Sequence, residues 1–62
     1  MDIKTARLRV GMSQEDLAVA SGVSRISIVR YESGERVPDI KTAARIANAL
    51  GCKVDDLINK ED

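Results

Sequence analysis

The chain reads as an all-α domain, a compact bundle of five short helices. Two observations lead there. Apolar residues recur at three- and four-residue spacings, and no alternating run is long enough for a strand. Glycines at 11, 22, 34 and 51 and the single proline at 38 then divide the chain into short segments, most of them opened by Ser or Asp, the side chains that cap helices. With 62 residues there is room for one small domain, residues 1–62. A domain this small buries only about 60% of its unfolded surface. Apolar residues make up 44% of it, almost all aliphatic, which supports a packed core over a disordered chain.

The first helix is expected over residues 2–10. Asp2 caps it, Gly11 stops it, and Ile3, Ala6 and Val10 share one face. Leu8 falls off that face, leaving two places for it: against the fifth helix, or exposed in a dimer patch. The second helix is expected over 14–21. Ser13 is its cap, and Asp16, three residues on, makes a short-armed capping box. Glu15 and Asp16 suit the positive end of its dipole, and Gly22 ends it. Only Val23 separates Gly22 from the next cap, Ser24, so a third helix follows over 25–33 and stops at Gly34. Ile28 and Tyr31 lie on one of its faces. Its β-branched Ile26, Ile28 and Val29 lower helix propensity, so packing must hold it. Pro38 and the cap Asp39 open a fourth helix over 40–50, with an apolar stripe of Ile40, Ala43, Ala44, Ala47 and Leu50 and with Ile46 alongside. Gly51 ends it. A fifth helix over 54–59 carries Val54, Leu57 and Ile58, but Lys53 is a poor cap for it.

Several functions are excluded by what is missing. Without His and with one Cys, neither a Cys/His zinc site nor an internal disulfide can form, and a reducing cytoplasm is the natural setting. No metal, cofactor or small-molecule ligand is expected. The longest apolar run is residues 17–20, against roughly 20 residues for a membrane span. Lys4, Arg7 and Arg9 interrupt any signal-peptide core. An enzyme is not expected either, because His, a plausible Cys nucleophile and a Gly-rich phosphate loop are all absent. Net charge is zero, but its distribution is uneven. Residues 1–51 carry eight positive and six negative side chains, and residues 52–62 carry two and four.

Residues 14–31 carry the functional signal. Two helices of about eight residues joined by a short Gly-containing turn make a helix-turn-helix. Ala18 is small where the helices cross, Gly22 supplies a backbone conformation that a Cβ resists, and Leu17, Val23, Ile28 and Tyr31 fill the inner angle. The chain resembles the Xre family, the helix-turn-helix domain of phage repressors and Cro proteins. The resemblance rests on Arg7, Gly11-Met-Ser-Gln-Glu-Asp-Leu-Ala18, Gly22-Val-Ser24, Ser27-Ile28, Tyr31-Glu-Ser-Gly34, Pro38-Asp39 and Ala49-Leu-Gly51, and it runs without a gap over residues 3–58. It implies a lambda repressor-like DNA-binding domain.

The same resemblance implies roles. The third helix becomes the recognition helix in the major groove of double-stranded DNA, with Arg25, Ile26, Val29 and Arg30 reaching base edges. An Arg can donate two hydrogen bonds to guanine, and Ile26 and Val29 can meet thymine methyls. Gln14, Ser27 and Arg36 match phosphate-contacting positions, with Arg9 and Lys41 as looser candidates. Arg7 and Glu32 match a family ion pair between the first and third helices, which removes both from the DNA-facing charge. The function implied is a sequence-specific regulator, a repressor binding a pseudo-palindromic operator as a homodimer. Recognition helices about 34 Å apart would then enter successive major grooves. The alternative is a protein-interaction module, antitoxin-like or an adaptor, on the same fold. Zero net charge and the aliphatic residues of the third helix favour that alternative.

The remaining distinctive residues have ordinary readings. Tyr31, the one aromatic, belongs to the core with its hydroxyl near the surface, so no stacking platform for single strands exists. Cys52 reads as a small apolar residue with Lys53 as its only basic neighbour. The acidic pairs Asp55-Asp56 and Glu61-Asp62 read as solvated charge.

Overall fold

The computed structural model describes residues 2–58. Its helices are α1 (Ile3–Arg9), α2 (Gln14–Ser21), α3 (Arg25–Ser33), α4 (Ile40–Leu50) and α5 (Val54–Ile58), and no strand occurs among the described residues. Asn59, where the sequence reading ends the fifth helix, the side chain of Ile58, and the Glu61-Asp62 pair lie outside the described residues.

Local chemistry sets each boundary. The Asp2 carboxylate accepts from the Thr5 N–H at 3.3 Å, and Asp39 from Thr42 at 2.8 Å. At α2 the box closes both ways: Asp16 N–H donates to Ser13 Oγ at 2.9 Å, and Ser13 N–H to Asp16 Oδ2 at 3.0 Å. The Ser13 backbone N–H, more than its side chain, holds the Asp16 carboxyl below its ordinary pKa. Lys53 is indeed no side-chain cap. Asp56, three residues on, reaches back to its N–H at 3.2 Å and does half of a capping box's work. The N–H of Asp2 donates to the Leu57 carbonyl at 3.2 Å, so the first and last turns are clipped together.

The core is Ile3, Leu17, Ala18, Ile28, Ile46, Ala47, Leu50 and Leu57. Each helix contributes to it, and Ala6, Met12, Val23, Tyr31 and Val54 pack around it half-buried. α2 packs against both α3 and α4, α1 also touches α3 and α4, and α5 closes on α4.

Three sequence expectations about facing are corrected. Val10 is exposed, because it is the C-cap of α1 and the helical period ends at Arg9. Ala44 is exposed, since a step of about 100° carries it off the stripe of Ala43, Ile46, Ala47 and Leu50. Ile40 is 66% exposed. It lies at the margin of that stripe and in the first turn of α4. Leu8, left with two places, is exposed.

Candidate nucleic-acid interface

The turn between α2 and α3 is built to hold one angle. Gly22 takes φ of 72°, in the left-handed region, and its N–H returns to the Ala18 carbonyl at 2.9 Å. The buried Ser21 hydroxyl donates to the Leu17 carbonyl at 2.7 Å and accepts from the Val23 N–H at 3.3 Å. Val23 then leads directly into the Ser24 cap, whose Oγ accepts from Ser27 N–H at 3.1 Å.

That angle turns one side of α3 outward. Ile28 is fully buried and Tyr31 half-buried, so positions 26, 29, 30 and 33 form the opposite stripe. Ile26 is 63% and Val29 39% exposed. Arg25 and Arg30 are exposed beside them. Ser33 shares the stripe, but its hydroxyl donates to the Arg30 carbonyl at 3.0 Å and faces its own backbone.

Beneath this surface lies a buried polar cluster. Arg7 Nε donates to Glu32 Oε2 at 2.7 Å and Arg7 Nη2 to Glu32 Oε1 at 3.1 Å, a two-pronged pair with side chains 8% and 5% exposed. Arg7 Nη1 donates to the Met12 carbonyl at 2.8 Å. The Gln14 amide donates to Glu32 Oε1 at 3.1 Å. One carboxylate thereby ties α1, the start of α2 and α3. Burial pushes the Glu32 carboxyl up, but the hydrogen bonds from Arg7 and Gln14, with the Arg7 charge, outweigh it and hold Glu32 below its usual range. The hydrogen bond to Glu32 likewise raises Arg7 despite burial.

The other sequence-named positions divide. Ser27, at the start of α3, accepts from the Ser24 hydroxyl at 2.9 Å and keeps its own proton to donate. Arg36 is exposed just past the end of α3, where its N–H donates to the Arg30 carbonyl at 3.3 Å. Lys41 is exposed in the first turn of α4. Arg9 is not brought to this cluster. It lines a cleft of about 340 Å³ between α1 and α5, with Asp2, Cys52 and Asp56. The sequence reading gave Cys52 only Lys53 as a basic neighbour and missed Arg9, which long-range packing supplies. Burial and Asp56 still push the Cys52 thiol up, against the pull of Arg9.

Two contacts were not anticipated. Arg25 Nε lies 3.9 Å from Glu15 Oε1, and Arg30 Nε lies 3.8 Å from Glu35 Oε2, all four side chains being exposed. The Glu15 pair crosses between helices, and the Glu35 pair depends on the fold-back after Gly34, so neither spacing announces itself in sequence.

Residues 3–57 match the family model described as Helix-turn-helix. The chain belongs to the helix-turn-helix family. Its members are non-enzymatic DNA-binding transcriptional regulators, and the earlier likeness to Xre proteins falls within it. The uncharacterized HTH-type transcriptional regulator MJ0272 of Methanocaldococcus jannaschii is 40% identical over 60 residues, 97% of this chain and 91% of that protein. Among solved structures, the restriction-modification controller protein C.AhdI of Aeromonas hydrophila superposes with a TM-score of 0.86 at 30% identity, over 90% of this chain and 85% of its own. The restriction-modification controller protein C.Esp1396I gives 0.78 at 34% identity, over 97% and 86%. For this helix-turn-helix protein, no helix among the described residues is long and apolar enough to cross a membrane.

Proposed function

We propose that this protein is a transcriptional repressor that binds a pseudo-palindromic operator as a homodimer, with α3 in the major groove of each half-site. The observation that carries this reading is the outward stripe of α3, where Ile26, Val29 and Arg30 stand exposed with Arg25 while Ile28 anchors the helix from behind. Arg25 and Arg30 supply bidentate donors for guanine, and Ile26 and Val29 supply apolar contact for thymine methyls. Ser27 and Arg36 flank the helix as phosphate contacts. Gln14 joins them with the amide hydrogen that Glu32 leaves free, at the N-terminus of α2 where backbone N–H groups also favour an anion. Lys41 extends the same role to α4. Arg9, set in the α1–α5 cleft, is the weakest member of the phosphate group. Likeness to two controller proteins over nearly the whole chain supports a regulatory role for the dimer.

Selection of bound duplexes from a random pool at two salt concentrations tests the reading. A two-fold symmetric motif is expected, with affinity falling steeply as salt rises. Arg30→Ala should then weaken binding to the selected site by roughly tenfold per half-site, about 1.4 kcal/mol each, and relax preference at one base pair per half-site. Recovery of no motif at low salt would sink the proposal and favour a protein partner for the exposed Ile26 and Val29.

A further inference from the structure

Both arginines that α3 turns outward are met by carboxylates of the same chain, Arg25 by Glu15 at 3.9 Å and Arg30 by Glu35 at 3.8 Å. Exposed pairs at these distances are weak and open to competition. Their placement is what gives them meaning. Glu15 follows Gln14 in the first turn of α2, and Glu35 precedes Arg36 just past the end of α3. Each carboxylate is therefore next in sequence to a group assigned to phosphate, one at either end of the recognition surface. A docked duplex brings phosphates toward both, and like charges repel.

We propose that Glu15 and Glu35 are specificity-determining residues, acidic brackets that keep Arg25 and Arg30 from the phosphate backbone and aim them at bases. On a non-cognate duplex, an arginine that swings to a phosphate leaves its carboxylate unpaired beside the same backbone. On the operator, a guanine accepts two hydrogen bonds from the arginine's Nη groups while Nε, the atom that faces the carboxylate, stays beside it. The brackets thus weaken non-specific binding more than specific binding. The balanced charge of the chain has the same consequence, because attraction to DNA regardless of sequence grows with net positive charge.

This inference rests on α3 being the DNA-reading helix, and one experiment separates the two ideas. Binding of the wild type, Glu15→Gln, Glu35→Gln and the double variant is measured on the selected operator and on a scrambled duplex of equal length, at low and high salt. Each substitution should tighten scrambled-duplex binding by about threefold at low salt, with a smaller gain on the operator, and the difference should fade at high salt. An equal gain on both duplexes, or none, overturns the bracket while leaving the DNA-binding reading intact. A wild type that binds no duplex at all overturns both. The four side chains are exposed, so unchanged thermal melts are expected and confirm that folding is not the cause.

Discussion

Glu32 answers three demands with two oxygens. It takes both prongs of Arg7 and the amide of Gln14, and the helices that carry those residues are thereby fixed relative to α3. Removing either member of the pair leaves a buried charge without a partner. Glu32→Ala should therefore cost roughly 3 kcal/mol in urea denaturation, and Arg7→Ala a similar amount. A double variant that costs little more than either single one would show that the two act as a unit. The Arg7–Glu32 pairing was available in advance only through resemblance, since a charge pair 25 positions apart has no periodic signature. The tie from Gln14 to Glu32 was not legible at all, because it depends on the angle at which α2 meets α3. The Glu15 contact escaped for the same reason, and the Glu35 contact because it depends on the fold-back after Gly34.

At the scale of the helix, the chain advertises its ends better than its faces. Ser13, Ser24 and Asp39 at the starts, and Gly22, Gly34 and Gly51 at the stops, mark α2, α3 and α4 because capping is decided within a few residues. Facing is read less securely: Val10 lies past the last residue of α1, Ile40 at the margin of the α4 stripe and Ala44 a helical step off it, and all three stand outward. Gly22 illustrates a boundary whose cost can be measured. A Cβ there meets nothing within 4 Å, so the penalty is the left-handed backbone alone. Gly22→Ala should destabilise by about 1 kcal/mol, seen as a lower denaturant midpoint with unchanged slope. A larger loss accompanied by a changed slope would mean that the α2–α3 angle itself had shifted.

For the whole molecule, acid is the expected weakness. Glu32, Asp16 and Asp39 all have carboxyls held below their ordinary values, Asp39 chiefly by the Thr42 backbone N–H. A depressed carboxyl contributes stability that is complete above its unfolded pKa, about 4, and is lost as pH falls through the lower folded value. The melting temperature should hold from neutral pH to about 5 and decline below about 4. Glu32→Gln should flatten that decline while starting from a lower plateau. A decline as steep as the wild type's would place the acid sensitivity elsewhere.

The bond from the Asp2 N–H to the Leu57 carbonyl has a topological consequence. It brings backbone atoms of Asp2 and Leu57 to within 3.2 Å, so the backbone between them runs almost as a ring. A short splice could close that ring, and new ends could be opened in one of the other connections. The bundle would then keep its packing under a different chain order.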